Sequence, residues 1–580
     1  MYPCDPYSVG VNSRRRTDSK QVDMTVAPNQ TLQPDGTGGW EERREDYALR
    51  YVPAGYRRWG PASLTGVMVG VATAMFFLAW GGELATAYGT VDTFIGMVFG
   101  TVFIGGLGFM LARISSATGL DADLITRGSG FGFMGSAFTS LIYTFNFLMF
   151  FAFEGTIMAT AVHNRWPAIP PSLIYLVIGL VFIPLTWWGM TVVNWLMWVT
   201  IPVYLGFLGW TIYLAATSKG ALPFWSYHPA HPASPAAGPA LFQVLAAVLA
   251  LISQATIAAD VGRFIPARQR TSGAFAVGFV SQLLTFCVLT MLGAWFTLRF
   301  GGSTNPGAYL ASLMGVWGVL FVVVTQVRIN STNVYSGSLA YANFFCRVFH
   351  ITPGRQYWVI LTSAGGTALM FGGIFNHLNA VLTFEGVFIM AWVMAVVSDI
   401  AINKKLLRLS PPNFLYKRAH SYSFNPVGVG ALAIALAVSL PLAFGVAGPF
   451  GQTLAPFLSG AIAFILAPVI AVVTRGRYYQ PATVAANIDP ALPAVGTGAA
   501  DGATVTAVPE PQHQNCVTCA RRFELAEFVT CPFHSGPICS VCCASENSCR
   551  DLCKSPEGLH DGEPVMPTFR GRNAGSRSGA

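Results

Sequence analysis

From residue 61 to about 474 the chain is a nearly continuous run of apolar side chains, cut only by short polar or Pro/Gly interruptions. A bilayer core takes about 20 apolar residues per helix. Cutting at the interruptions predicts twelve membrane helices, at 62–88, 91–113, 133–162, 172–188, 190–216, 240–262, 273–298, 309–345, 357–374, 379–402, 426–446 and 454–474. Helices are required because backbone groups in lipid must be satisfied within their own segment. The flanks read differently. Residues 1–58 are polar, with the run Arg14-Arg15-Arg16 and no apolar core of a signal peptide, and read as a largely disordered tail. The membrane domain is expected over 59–476, a flexible Ala/Pro/Gly/Thr linker over 477–514, a Cys-dense module over 515–554 and a disordered tail over 555–580.

Composition sharpens this reading. Of 580 residues, 53% are hydrophobic and 10% charged, and the mean hydropathy is +0.51. Soluble chains carry about 25% charged residues. A soluble multidomain fold, a disordered chain and a disulfide-rich secreted scaffold are therefore excluded, leaving an all-α polytopic membrane protein. With the N-terminus inside, the inner loops hold twelve Lys and Arg and the outer loops only Arg165, Lys219 and Arg299. That asymmetry places both termini in the cytoplasm and the protein in the cell membrane. The net charge of +8 then belongs to loops beside the bilayer, and implies no nucleic-acid partner.

Polar residues inside the spans are candidates for function. Asn146, Phe150 and Glu154 recur at i, i+4 and i+8 in the third span, so they share one helix face. An amide, an aromatic ring and a carboxylate suit a flat, hydrogen-bonding heterocycle; interhelical hydrogen bonding is the plainer alternative. The eighth span carries the polar stretch Gln326 to Tyr335, including Arg328 and Asn333. One tilted or broken helix with a polar centre is expected, as in transporters. The sixth span ends Ser253-Gln254 to Asp260-Val261-Gly262-Arg263-Phe264, where Asp260 and Arg263 are expected to form an i, i+3 ion pair. Two small-residue stretches in the first span, Val69 to Thr73 and Gly81-Gly82-Glu83, are places where a helix could unwind.

These spans resemble the nucleobase–cation symporters, the purine–cytosine and hydantoin permease group. Asp260 to Phe264 resembles the family's Asp-aromatic-x-Arg-aromatic motif. Asn333-Val334-Tyr335-Ser336 resembles its Asn-x-Tyr-Ser segment. Phe150 to Glu154 stands where the family has Trp-x-x-x-Gln or Trp-x-x-x-Asn, and Leu382 to Glu385 with Ser398-Asp399 resembles its tenth-span pattern. The resemblance, over about residues 45–475, implies a LeuT-like fold of two inverted five-helix repeats plus two helices. It implies a transporter rather than an enzyme, with a nucleobase-type substrate at the bilayer midplane. Phe150 would stack on the substrate, while Glu154, Asn333, Asn146 and Gln254 would meet its polar edge. Sodium-coupled members place hydroxyl ligands six and five residues before the site Asn. Here those positions hold Val327 and Arg328; this departure from the family speaks against sodium coupling, with Arg328 able to stand in for the ion, and leaves proton coupling with Glu154 as the candidate carrier, facilitated diffusion, or a receptor that does not transport.

Eight of eleven Cys fall between 516 and 553. Cys516-x2-Cys519, Cys531-x2-His534, Cys539-x2-Cys542 and Cys549-x3-Cys553 have zinc-ligand spacing. A cross-brace would give Cys516, Cys519, Cys539 and Cys542 to one zinc ion and Cys531, His534, Cys549 and Cys553 to another, with one or two ions bound. Cys543 is the alternative to Cys542. The module has few large apolar residues, so metal would supply its folding energy. All ligand positions are filled, which points away from catalysis and toward a cytoplasmic protein contact. It should fold separately from the membrane domain. Two other functions are compatible with these features: a transporter-shaped receptor signalling through the module, and a RING-like ubiquitin ligase.

Overall fold

The computed structural model describes residues 47–57, 59–218, 222–229, 234–480, 513–546 and 548–554. The expected linker from 481 to 512, the first 46 residues and the tail from 555 lie outside the described residues.

Every apolar stretch is helical. The helices are α1 (Pro61–Ala72), α2 (Met75–Tyr88), α3 (Thr90–Thr118), α4 (Gly135–Arg165), α5 (Pro171–Trp187), α6 (Met190–Thr217), α7 (Ala240–Leu249) and α8 (Ser253–Gly262). They continue with α9 (Ala267–Arg299), α10 (Pro306–Met314), α11 (Val316–Val348), α12 (Arg355–Phe371), α13 (Ile374–Leu406), α14 (Pro426–Ala443) and α15 (Gly448–Val473). Several starts are set locally. Pro306 and Pro426 occupy first-turn positions, and the side chains of Asn305 and Asn425 accept the N–H two residues on.

Among the described residues, eight helical segments are long and apolar enough to cross a membrane, or nine with α1 and α2 as one bent span. Length and composition do not reach the expected twelve. Helices α5 and α12 have 17 residues each, and the 33-residue α11 carries a polar centre.

The breaks in the helices position the site. The first span bends by 48° between α1 and α2, within the expected Val69 to Thr73 region. The sixth span, Ala240–Gly262, tightens into a turn at 250–252 between α7 and α8 without a comparable bend. The Gly81-Gly82 pair does not unwind. An added Cβ would lie 1.9 Å from the Thr290 carbonyl oxygen at Gly81 and 2.1 Å from the Thr297 hydroxyl at Gly82, so these glycines let α2 press against α9. Helix α11 is also unbroken through its polar centre; the interruption falls earlier, at Gly315 (φ +57°). Continuous packing along α4 supports its polar turns.

The segment 47–57, expected to belong to a disordered tail, is packed. Tyr47 through Val52 are buried, and the Val52 N–H donates to the Gly119 carbonyl at 2.9 Å. Arg57 donates to the carbonyls of Ser116, Ala117 and Thr118, a cation closing the C-terminus of α3. The other end of the domain also extends further than expected: Tyr479 is buried and bonds to Asp399 and Asn403.

The Cys-dense module comprises two antiparallel pairs, β1 (His513–Asn515) with β2 (Arg522–Glu524) and β3 (Phe528–Cys531) with β4 (Gly536–Cys539), followed by α16 (Ser540–Ser545). It is docked on the membrane domain, contrary to the separate unit the linker suggested. Lys417 Nζ donates to the Phe528 carbonyl at 2.8 Å. Arg418 Nε lies 2.9 Å from Asp551 Oδ1, and Tyr51 Oη donates to Glu524 Oε2 at 2.5 Å. The Arg50 guanidinium lies 4.8 Å from the centre of the Phe523 ring. The contacts come from the 47–57 segment and from the loop after α13.

Candidate functional site

Beside the bend between α1 and α2 lies a small cavity with room for about one water molecule. Phe150, Glu154, Gln254 and Asn333 all line it, together with Phe76 and Thr332. Four of the five expected substrate residues thus converge from α4, α8 and α11, although Phe150 and Asn333 are 183 positions apart in the chain. Asn146, one turn from Phe150, is fully buried but does not line the cavity.

Glu154 is 1% exposed. Its Oε2 and Oε1 lie 3.2 and 3.4 Å from the Phe76 backbone nitrogen. Phe76 is in the first turn of α2, where backbone N–H groups have no intrahelical acceptor. The carboxylate therefore satisfies a donor that the broken span exposes and complements the positive end of a half-helix. The Gln326 amide faces Glu154 from α11. The Phe150 ring stands edge-on to Phe76 at 5.1 Å. The arrangement is an apolar slot with an acid and two amides on its walls. Its chemistry suits a flat molecule with a few hydrogen-bonding edges, and the walls must part to admit one.

Arg328 is fully buried but is absent from the cavity wall. Its guanidinium carbon lies 5.0 Å from the centre of the Tyr204 ring of α6, and its nitrogens have no hydrogen-bond partner among the described residues. It contacts neither Glu154 nor the cavity. Tyr204, an aromatic in an apolar span, gave no sequence signal.

The expected Asp260–Arg263 ion pair is replaced. Arg263 Nη1 lies 3.2 Å from Asp121 Oδ2 and 2.9 Å from the Tyr47 carbonyl. Asp260 instead accepts the Ala122 N–H at 3.0 Å and the Tyr143 hydroxyl at 2.7 Å. At the end of a helix an i, i+3 pair competes with neighbouring loops, and here the 119–126 loop reaches both side chains. Beside it, Asp123 pairs with Arg347 at 3.0 Å and Arg127 at 3.3 Å, while Arg127 donates to Asn343 at 2.8 Å. These residues read in sequence as loop charges. Together they form a buried polar lock below the cavity, on the side that carries the module.

In the module, one ligand atom each from Cys516, Cys519, Cys539 and Cys542 lies within 4.8 Å of the others. Tetrahedral thiolate bonds of about 2.3 Å would separate the sulfurs by about 3.8 Å. Cys519 and Cys539 Sγ are 4.0 Å apart, and the Cys539 and Cys542 N–H groups point at Cys516 and Cys539 Sγ. This donor set fits a tetrahedral metal ion and takes Cys542 rather than Cys543. The second set is looser. Cys531 Sγ and His534 Nδ1 are 3.3 Å apart, His534 Nε2 is 3.4 Å from Glu546 Oε2, and Cys549, Cys553 and Cys543 border the same recess. Among the described residues only the first set meets the geometric test for a metal cluster.

The chain is 25% identical over 427 residues to the cytosine permease of Escherichia coli (strain K12), covering 72% of this chain and 93% of that protein. The permease from Escherichia coli O157:H7 matches over the same length. The structure of Mhp1, a nucleobase-cation-symport-1 family transporter closed around bromovinylhydantoin, superposes with a TM-score of 0.57 at 18% identity. It covers 75% of this chain and 99% of its own. The chain resembles the nucleobase–cation symporters in sequence and in fold. A Na+-coupled sialic acid symporter shares the fold more distantly, with a TM-score of 0.50 at 12% identity over 74% of this chain and 93% of its own. No family model matches the chain. These relatives of the nucleobase–cation symporter type are transporters, not enzymes. They match about three quarters of this chain.

Proposed function

We propose that this protein is a secondary transporter in the cell membrane that carries a purine- or pyrimidine-type nucleobase or a related planar heterocycle. The observation that carries the reading is the convergence of Phe150, Glu154, Gln254 and Asn333 on one cavity beside the bent first span. The likeness to cytosine permeases supports the substrate class. Phe150 offers a ring face; Asn333 and Gln254 offer amides to the heterocycle's edge. Asn146 supports that face of α4 from behind.

Coupling does not use sodium in this reading. Val327 and Arg328 occupy the positions of the family's hydroxyl ligands, and neither offers an oxygen. Glu154 carries the coupled proton. The cysteine module binds zinc through Cys516, Cys519, Cys539 and Cys542, and a second ion through Cys531, His534, Cys549 and Cys553. Glu546 would orient His534, as second-shell carboxylates do. The excess of Lys and Arg in the loops on one side supports cytoplasmic positions for both termini.

The test is uptake of labelled cytosine, uracil, adenine and hydantoin into proteoliposomes bearing the full chain. Concentrative uptake of at least one, driven by an inward proton gradient and indifferent to sodium, is the expected result. Saturable binding without flux would replace the transporter with a receptor.

A further inference from the structure

The strongest unassigned feature is a groove on the module's side of the membrane domain, with a volume of about 1150 Å³. It runs between the last turns of α3, the start of α9, the end of α13 and the 407–415 loop. Five basic residues line it: Arg113, Arg270, Lys404, Lys405 and Arg408. No Asp or Glu does. An adjoining recess shares Phe109 and Arg270, adds Arg268, and is also without a carboxylate.

Among the described residues only one of these cations is neutralised. Lys404 lies 3.7 Å from Asp399 and donates to Ser410 and the Pro411 carbonyl. Arg113, Arg270, Lys405 and Arg408 have no ion pair among the described residues. Arg113 and Arg270 are also close enough for their charges to act on one another. Like charges converging without an acid favour a bound anion.

The other walls are apolar, including Phe109, Met110, Ile114 and Phe414. Outside the groove, Phe275 is 47% exposed and Leu406 is 74% exposed. The site therefore has cations at the level where helices end and greasy walls toward the bilayer. A soluble inorganic phosphate would use the first property and gain nothing from the second. A phospholipid uses both.

We infer that this groove binds an anionic phospholipid, its headgroup phosphate between Arg113, Arg270, Lys405 and Arg408 and its acyl chains along the apolar walls. The inference does not depend on what the protein transports. Juxtamembrane basic clusters hold anionic lipid by this combination of charge and depth.

The experiment uses the full chain, with phosphatidylglycerol and phosphatidylcholine as probes, and counts retained lipid by native mass spectrometry. Phosphatidylglycerol should be retained about ten-fold or more over phosphatidylcholine, and Arg113→Gln/Arg270→Gln should remove the preference. Both variants and wild type should share one thermal transition and one elution volume. Lys405→Gln/Arg408→Gln, on the opposite wall, supplies an independent pair should the first fail to fold. Equal retention of the two lipids would overturn the inference, as would a preference that survives both double substitutions. Displacement of the lipid by millimolar inorganic phosphate would assign the groove to a soluble anion. A preference seen only after deleting residues 1–46 would make the chain's own Glu41 to Asp46 stretch the occupant and refute the lipid.

Discussion

The carboxylate of Glu154 accepts the backbone N–H of Phe76, joining the middle of α4 to the first turn of α2. A side chain and a broken helix are thereby one unit. Whatever changes the charge of Glu154 changes the electrostatics of the half-helix beside the candidate substrate cavity.

Glu154→Gln keeps an acceptor oxygen for Phe76 but removes the titratable proton. Accumulation driven by a pH gradient should be lost while substrate exchange persists, both measured in proteoliposomes. Unchanged gradient-driven accumulation would reject Glu154 as the proton carrier. Glu154→Ala also leaves the Phe76 N–H unsatisfied, and should lower stability by about 1–3 kcal/mol.

Substrate affinity should be the same in sodium chloride and choline chloride at equal ionic strength, because Val327 and Arg328 offer no oxygen ligand. Isothermal titration in the two salts measures it. A rise in affinity with sodium would show that the ion binds through other groups.

Arg263→Gln should destabilise the protein strongly. It leaves Asp121 without its salt-bridge partner and the Tyr47 carbonyl without a charged donor. Removing one member of a buried pair typically costs about 3–5 kcal/mol. Asp121→Asn/Arg263→Gln should recover part of that loss in thermal unfolding. A double variant as unstable as the sum of the single ones would mean that the pair does not couple.

The module should not be removable without consequence for the membrane domain. Truncation after residue 480 strips the partners from Tyr51, Tyr416, Lys417 and Arg418. Hydrogen exchange should then rise in 47–57 and 414–421, and Cys516→Ser/Cys539→Ser should give the same pattern by unfolding the metal site. Unchanged exchange in both segments would show that the docking contributes nothing.

Docking should also depend on pH through Glu527. This carboxyl is buried between Tyr416 and Ser540, and burial holds its pKa above the ordinary glutamate value despite Arg50 and Lys417. The docked state thus binds the proton more tightly than the free module does. Docking should tighten as pH falls through the raised pKa and weaken as pH rises through it. Glu527→Gln should flatten that dependence in a proteolysis assay of the 481–512 segment. A dependence as steep in the variant would place the titration elsewhere.

The sequence alone determined the class of this protein. Apolar runs of bilayer length, few charges and the fixed spacing of the cysteines are local properties, and the physics they report is local too: lipid solvation of a helix and ligand reach around a metal ion. The same holds for Phe150 and Glu154, which one helix period puts on one face. Only the tertiary structure decided which distant groups meet. Glu154 found Phe76 because α1 and α2 part at Thr73. Arg263 found Asp121 rather than Asp260 because a loop folds over the end of α8, and Arg328 turned to Tyr204 on a helix more than a hundred residues earlier. The module's docking was hidden for the same reason. A linker's composition reports the freedom of the linker, whereas docking is fixed by Tyr51, Lys417 and Arg418 on surfaces that exist only once the membrane domain has folded.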